Sequence, residues 1–248
     1  MSEKTALIVG ASSGVGRALA TEFAKAGCDL LLVARDAKDL EVVARDCEIR
    51  YIVKAQWKTL DLGDSNFTTE AIEAWVAESG GYLKYVCLPA GANSGKDSGA
   101  PPDETLINMT NVNYLSLAKI MTMAANHADR WALRTILVCS SIAASAPRKR
   151  NMAYASAKSA LTTFSLGLRH LLSTGPAIVQ VYSLGYVDSG LSFGQKLLFP
   201  VISPQVVARE MVRDINKDVG VRFFPFYWRY IVAALRLLPW AVYKRLSF

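Results

Sequence analysis

A short apolar segment followed by three closely spaced glycines is the feature that most restricts how this chain can fold. Residues 5–9 predict a buried strand, and a helical pattern that ends at Gly27 begins within the glycine turn. Glycines let the backbone approach a phosphate closely, and the N–H groups that open a helix attract anions. The segment therefore predicts a nucleotide site, although a tight turn without a ligand would share the pattern. The candidate binding residues are Gly10, Ser12, Ser13, Gly14, Val15 and Gly16.

The rest of the chain continues to alternate between strand and helix patterns. Further strands are predicted over 29–34, 51–62, 82–92, 132–141, 177–185 and 220–224. Helices are predicted over 36–47, 64–78, 103–126, from 151 onward, and over 203–217, with a flexible loop over 91–102. This order predicts an α/β fold, a Rossmann-type doubly wound parallel sheet of about seven strands with helices on both faces. Residues 1–218 would form the nucleotide-binding and catalytic part, and 219–248 the last strand and an amphipathic tail of the same domain.

Charge and cysteine content narrow the class of protein. The net charge is +7, but residues 219–248 hold five cationic side chains and no acid, so the remaining body is close to neutral. Such a body argues against a nucleic-acid surface. The four cysteines lack metal-site spacing and predict buried thiols, while His127 and His170 have no carboxylate neighbours at metal spacing and predict structural roles. We therefore expect no metal site.

From the sequence we expect neither a secretory leader nor a membrane-spanning helix. The first residues lack the order of a secretory leader, and no apolar stretch free of charge is long enough to span a bilayer. The sequence therefore predicts a cytoplasmic location, with the tail as a candidate contact to the inner face of the membrane.

The residues at the ends of the second and third strands bear on the choice of cofactor. An acid at the end of the second strand would bind the ribose hydroxyls of NAD, but this chain has Ala34 and then Arg35. An arginine can pair with the 2′-phosphate of NADP, although it could also be a solvated side chain that Asp36 partly neutralises. We therefore expect NADP(H) rather than NAD(H). Asp61 and Leu62 are candidates for an adenine contact, and the alternative is that Asp61 caps the next helix.

A second motif lies after the fifth strand. Tyr154 and Lys158 are four residues apart, so in a helix both lie on one face. A phenol titrates near ~10 in water, and a neighbouring ammonium lowers that pKa toward neutrality, as a proton donor requires. Ser141, at the end of the fifth strand, could hold a carbonyl oxygen beside the phenol. The spacing by itself is common, but the nucleotide turn at the same edge of the sheet favours an acid and its tuning lysine.

Between these residues lies a basic cluster formed by Arg148, Lys149 and Arg150. It is either a solvated loop or a contact for an anionic substrate. The apolar segment 191–199, which follows the sixth strand, has the composition of a substrate lid.

From about Thr5 to Lys217 the chain resembles the short-chain dehydrogenase/reductase family. The matching marks are Gly10-x3-Gly14-x-Gly16, Asp61-Leu62, Asn113, Ser141 and Tyr154-x3-Lys158. The resemblance implies that Tyr154 donates the proton, that Lys158 binds the nicotinamide ribose and lowers the pKa of the tyrosine, that Ser141 positions the carbonyl, and that Asn113 supports a proton-relay water. It further implies cofactor contacts at Ala90, Gly91, Gly185 and Val187, and a homodimer or homotetramer. Val9, Leu88-Pro89 and Leu184 depart from the family pattern without removing a reacting group.

Three segments, including the tail, are also similar to a narrower group, the reductase components of polyprenylphosphoryl-ribose 2′-epimerases. This similarity implies an NADPH-dependent reduction of a keto sugar carried on a polyprenyl phosphate. The alternatives are reduction of a lipid ketone of the 3-ketoacyl or ketosphingoid type, and a non-catalytic NADP-binding scaffold or sensor. In the tail, Trp228, Tyr230, Trp240 and Tyr243 suit a membrane interface, although the tail could equally pack on a neighbouring subunit or cover the active site.

Overall fold

The central feature of the fold is a parallel sheet, seen in a computed structural model that describes residues 4–146, 149–188 and 199–245. The strands are β1 Thr5–Val9, β2 Asp29–Ala34, β3 Ala55–Thr59, β4 Tyr85–Leu88, β5 Thr135–Ser141, β6 Ile178–Leu184 and β7 Val221–Phe224. They pair in the order β3-β2-β1-β4-β5-β6-β7, and every pair is parallel. The predicted Rossmann-type sheet is confirmed.

Helices cover both faces of this sheet. They are α1 Gly14–Lys25, α2 Ala37–Tyr51, α3 Glu70–Glu78, α4 Asp103–Thr110, α5 Ser116–Asn126, α6 Met152–Leu171, α7 Pro204–Arg213, α8 Trp228–Leu237 and α9 Trp240–Tyr243. Side chains alternate along β1, so that Leu7 and Val9 pack with α3, α5 and α6, whereas Ala6 and Ile8 pack with α1, α2 and α7. Strand order reverses between β1 and β4, and in sheets of this type ligands bind at that point, beyond the carboxyl ends of the strands.

Two predicted boundaries around β3 are wrong. Helix α2 continues to Tyr51 and ends where Ile52 adopts a left-handed conformation with φ 57°, so β3 starts only at Ala55. Helix α3 begins at Glu70 rather than at 64, because the chain before it turns twice. In the first of these turns the Asp61 carboxylate accepts a hydrogen bond from the Gly63 N–H. The alternative in which Asp61 caps the next helix is therefore wrong, since Thr69 precedes that helix.

The helix predicted over 103–126 is interrupted in the middle. A single π-helical turn over Asn111–Leu115 separates α4 from α5. Asn113 lies in this turn and is fully buried. Insertions of this kind often occur at functional sites.

The cysteines are free and buried, as predicted, and burial raises the pKa of each thiol; that of Cys139 rises to about 12. His127, for which we expect a structural role, stacks on Trp131, and its Nε2 lies 3.3 Å from Glu73 Oε2, a residue distant in the sequence. Across the residues that the structure describes, no group of three potential metal ligands is found. In the same residues, no helix has both the length and the apolar character needed to cross a bilayer.

Candidate active site

The carboxyl ends of the central strands form one cleft of about 740 Å³. Its lining contains every residue that the sequence nominated for the cofactor, together with three of the four catalytic candidates. These lining residues are Gly10, Ser12, Ser13, Gly14, Val15, Gly16, Arg35, Asp61, Leu62, Ala90, Gly91, Ser141, Tyr154, Lys158, Gly185 and Val187. The fourth catalytic candidate, Asn113, lies behind the wall of the cleft.

The glycine turn at one end of the cleft leaves no room for side chains. Gly10 has φ 97°, and a Cβ on it would lie 2.7 Å from Ala90 Cα. A Cβ on Gly16 would lie 1.8 Å from the Gly10 carbonyl oxygen, so α1 can approach β1 this closely only with glycine at that position. Ser13, the residue that precedes α1, makes no capping bond with its side chain. The opening of α1 therefore has the shape and polarity that a dinucleotide phosphate requires.

Residues at the ends of β2 and β3 line one part of the cleft. Arg35 is exposed and faces this region from the end of β2. The Asp36 carboxylate does more than offset the charge of Arg35. It accepts the Asp39 N–H at 2.9 Å and so caps α2. Leu62 is buried at the base of the same region. Among the described residues of this region, Arg35 is an exposed cation that lines the cleft.

Lys158 lies at the centre of the cleft, and only 3% of it is exposed. Its Nζ donates hydrogen bonds to the Cys139 carbonyl at 3.0 Å and to the Ala90 carbonyl at 3.1 Å. Burial lowers the pKa of this ammonium from 10.5 to about 8. A Cβ on Gly91 would lie 3.4 Å from the same Nζ. Two backbone carbonyls thus hold the Lys158 amine, and the absence of a side chain on Gly91 leaves room for it.

Ser141 and Tyr154 approach the cleft from β5 and α6. Ser141 is the last residue of β5, and its Oγ accepts the Ala143 N–H at 3.2 Å. The adjacent Ser140 is buried and pairs instead with Thr162 Oγ1 at 2.6 Å. Tyr154 lies in the first turn of α6, one turn before Lys158. The two serines therefore differ in role, and the hydroxyl of Ser141 shares the cleft with the phenol.

Asn113 joins the π-turn to the segment that follows β4. Its Nδ2 donates to the carbonyls of Met109 and Ala92, each at 3.0 Å, and its Oδ1 accepts the Ala92 N–H at 3.0 Å. A Cβ on Gly91 would also lie 3.2 Å from this Oδ1. The side chain is therefore fully engaged in holding the wall beside Lys158.

Trp228, a tail residue for which the sequence leaves open a membrane interface, a subunit contact or a cover for the active site, packs beside Gly185 and Tyr186 of the cleft lining. Trp228 is 3% exposed, because its indole packs against Tyr186 and Phe199. A Cβ on Gly185 would lie 2.0 Å from Trp228 Nε1, so the glycine that follows β6 is required by this contact. The sequence signal for it was the glycine directly after an apolar strand. Arg236 Nε, also from α8, donates to the Ser145 carbonyl at 3.1 Å.

Two predicted features include residues that the structure does not describe. Of the proposed lid over 191–199, only Phe199 is among the described residues. Arg148 of the basic cluster also lies outside them, while Lys149 and Arg150 are described.

Comparison with known proteins agrees with this geometry. A model of the family described as short chain dehydrogenase matches residues 4–195. The chain is 28% identical over 230 residues to a hydroxysteroid 11-beta-dehydrogenase 1-like protein B of Xenopus laevis, with 91% of this chain and 78% of that protein covered. It is 26% identical over 213 residues to a very-long-chain 3-oxoacyl-CoA reductase of Anas platyrhynchos, with 85% and 68% covered.

Among solved structures, a short-chain dehydrogenase from Sphingobium yanoikuyae in complex with NADPH superposes with a TM-score of 0.81 at 22% identity. The alignment covers 98% of this chain and 96% of that one, so the two proteins share their fold. The family match spans most of the chain and contains both the glycine turn and the Tyr154-x3-Lys158 pair. The chain therefore belongs to the short-chain dehydrogenase/reductase family and is an NAD(P)-dependent oxidoreductase that acts on CH–OH and C=O groups.

Proposed function

We propose that the protein is an NADPH-dependent ketoreductase in which Tyr154 is the proton donor. The observation that carries this proposal is that Ser141, Tyr154 and Lys158 line the same cleft as the glycine turn. NADPH, when bound in this cleft, would supply the hydride that the ketone carbon accepts. The Tyr154 phenol then gives its proton to the carbonyl oxygen, so that one ketone, one NADPH and one proton become a secondary alcohol and NADP⁺. The phenolate regains a proton from solvent.

The other polar groups of the cleft would orient the reactants. The Ser141 hydroxyl donates to the carbonyl oxygen, where charge develops during reduction, and a preorganised donor lowers that barrier. The Lys158 ammonium would bind the nicotinamide ribose and keep the phenol acidic. Asn113 would hold the wall around Ala92 and support a water that returns the proton. The cofactor would also contact the backbone of four further lining residues, Ala90, Gly91, Gly185 and Val187.

We further propose that NADPH is preferred over NADH because Arg35 pairs with the 2′-phosphate. Arg35→Ala is expected to raise the KM for NADPH about 10- to 100-fold, the worth of one charge-assisted hydrogen bond, and to change the KM for NADH less than about twofold. Initial rates with each cofactor give the ratio. Arg45→Ala removes an exposed arginine that pairs with Glu41 on α2 and serves as the control. An equal effect on both cofactors would dismiss the phosphate contact.

For the substrate we propose a ketone that belongs to a lipid. The leading candidate is a keto sugar carried on a polyprenyl phosphate. Lys149 and Arg150 are exposed cationic residues directly before Asn151, which lines the cleft, and their charge favours a substrate that carries a phosphate. The alternative is a plain lipid ketone of the 3-ketoacyl or ketosphingoid type. The relative from Anas platyrhynchos, whose name specifies an oxoacyl substrate, supports that alternative.

A screen of NADPH oxidation separates these candidates. Its probes are a keto sugar on a short polyprenyl phosphate, the same keto sugar without phosphate, a 3-ketoacyl thioester, a ketosphingoid base and cyclohexanone. Turnover that depends on the phosphate supports the first substrate, and turnover of the thioester or the sphingoid base supports the second. Tight NADPH binding with no turnover of any probe would instead support a non-catalytic scaffold or sensor.

The tail offers a surface that suits an anionic bilayer, and we propose that it binds one on the cytoplasmic side. Tyr230, Leu237 and Trp240 are 62%, 83% and 70% exposed, and no acid accompanies the cations of this segment. Apolar side chains beside arginine and lysine are typical of interfacial helices. Because Trp228 at the start of α8 is buried, the exposed positions rather than the whole tail should be tested.

Replacing two of these exposed side chains, as in Leu237→Ser/Trp240→Ser, is expected to weaken binding to phosphatidylglycerol vesicles by about tenfold or more, given the area each would bury. Flotation measures the bound fraction, with phosphatidylcholine vesicles as the neutral comparison. Ile49→Ser/Leu171→Ser removes two exposed apolar residues elsewhere and is the control. Equal recovery of wild type and both variants in the soluble fraction would refute membrane contact.

We also propose that residues 1–218 and 219–248 form one domain and that the protein assembles as a homodimer or homotetramer. An exposed groove on the outer surface, lined by Tyr114, Ser159, Ala160 and Phe164 among others, supports a contact between copies. Light scattering on the intact chain measures the mass, and a monomer at micromolar concentration would contradict the assembly.

A further inference from the structure

The catalytic helix begins without a cap of its own. Asn151, the residue that precedes α6, adopts a left-handed conformation with φ 60°, and its side chain makes no capping bond. Uncapped N–H groups at the start of a helix are costly when they are buried. Ala153 is buried there, and Tyr154 follows directly.

A carboxylate from a distant loop takes the place of the missing cap. Asp97 Oδ1 accepts the Ala153 N–H at 3.0 Å, and its Oδ2 accepts the Tyr154 N–H at 2.9 Å. The Asp97 backbone carbonyl accepts the Asn151 N–H at 2.7 Å. Asp97 is only 1% exposed, so these bonds are shielded from water. A charge-assisted pair of this kind at the positive end of a helix is among the stronger capping arrangements.

The loop that carries Asp97 is itself tied down. We predicted a flexible loop over 91–102, but Asp97 N donates to the Ser94 carbonyl at 3.0 Å, and Ser98 forms an antiparallel bridge with Arg150. The Gly99 N–H reaches the Lys149 carbonyl at 3.4 Å. The residues just before α6 are therefore paired with the segment that follows β4, which at its start also contacts Asn113.

We propose that Asp97 is a positioning residue that fixes the direction in which Tyr154 projects into the cleft. The inference rests on the proposed function of Tyr154 as the acid. Lys158 is held independently by the carbonyls of Ala90 and Cys139, so the second turn of α6 stays in place when the cap is removed. The first turn, which carries Tyr154, loses both carboxylate bonds to its N–H groups in that case, and we expect it to be held less firmly beside Ser141.

The test uses Asp97→Ala and Asp97→Asn in the full chain. We expect kcat to fall about 30-fold in the alanine variant and about fivefold in the asparagine variant, whose one amide oxygen still accepts, since mispositioned acids commonly lose tenfold to a hundredfold. The Kd for NADPH is expected to change less than about twofold, because the carboxylate bonds of Asp97 are made to the first turn of α6 and not to the glycine turn. The assay ketone is the fastest probe of the screen, with cyclohexanone as the default.

Two further measurements separate positioning from loss of stability. The solvent deuterium isotope effect on kcat should increase in Asp97→Ala, because proton transfer becomes slower than the other steps. Thr135→Val, which removes a buried hydrogen bond to the Ile215 carbonyl at the opposite end of β5, is the stability-matched control and should leave that isotope effect unchanged. Parallel losses of kcat in both variants, in proportion to the folded fraction, would overturn the proposal.

Amide hydrogen exchange provides a measurement that does not depend on activity. Asp97→Ala should speed exchange at residues 152–155 and leave 160–168 protected. Faster exchange with unchanged kcat would overturn the positioning role, even though the cap exists. If Tyr154→Phe keeps its activity, the proposed acid fails, and the exchange result still reports on the cap. If the alanine variant does not fold, the asparagine variant carries the same measurements.

Discussion

Tyr154→Phe is expected to lower kcat about a thousandfold, while NADPH continues to bind with unchanged affinity. Phenylalanine keeps the ring and its packing but has no proton to give to the carbonyl oxygen. The hydride donor, the Ser141 hydroxyl and the Lys158 ammonium all remain in the cleft. The loss should therefore appear in kcat, because the missing interaction is made only as charge develops on the oxygen.

Rapid kinetics of NADPH oxidation and fluorescence titration of NADPH measure the two quantities separately. Tyr114→Phe is the control, because it removes the hydroxyl of a tyrosine in the π-helical turn whose ring packs edge-to-face on Phe164 of α6. We expect this control to retain wild-type kcat. Substantial turnover in Tyr154→Phe would assign the proton to another group and would refute the proposed mechanism.

Lys158→Met is expected to abolish most activity and also to reveal a pH-dependent cost of burying the amine. Burial lowers the pKa of Lys158 from 10.5 to about 8 in the folded protein. Below pH 8 both the folded and unfolded states carry the charge, so the folded state bears the full cost of burial. Between the two pKa values the unfolded state binds more protons, and the free energy of unfolding of the wild type rises with pH.

The wild type should therefore gain about 3 kcal/mol relative to Lys158→Met as pH rises through this interval, since each unit of pKa shift is worth 1.36 kcal/mol. Urea denaturation of both proteins at a series of pH values measures the difference, and titrations common to both chains cancel. Lys119→Met, which removes a lysine whose Nζ bonds the Phe67 carbonyl, is the matched control. A constant difference between wild type and Lys158→Met across the interval would contradict the lowered pKa.

Much of the fold follows from local features of the chain. Alternating strand and helix patterns specify a parallel sheet, because parallel strands need a crossover between them. The glycines at 10 and 16 form part of a local motif, and a Cβ on Gly16 would meet the nearby Gly10 carbonyl, whereas a Cβ on Gly10 would meet the distant Ala90. The boundaries around β3 failed for an equally local reason. An apolar residue, Ile52, ends α2 in a left-handed conformation that its side chain ordinarily disfavours.

The site was predictable where its residues form a motif and not where they are isolated. Tyr154 and Lys158 share a helical face, so their spacing is visible in the chain. Asp97 lies 56 and 57 residues before the two N–H groups that it caps, and no local pattern joins them. Trp228 has aromatic neighbours typical of an interface, yet its indole fills the space beside Gly185.

By itself, the sequence determined the sheet, the glycine turn, the cationic residue at the end of β2 and the pairing of Tyr154 with Lys158. These features depend on periodicity and on contacts between near neighbours. Only the tertiary structure decided which carboxylate caps the catalytic helix, which tryptophan belongs to the body, and how strongly burial lowers the pKa of Lys158. Those outcomes depend on which distant segments meet and on how completely they exclude water, and neither is encoded in the spacing of residues along the chain.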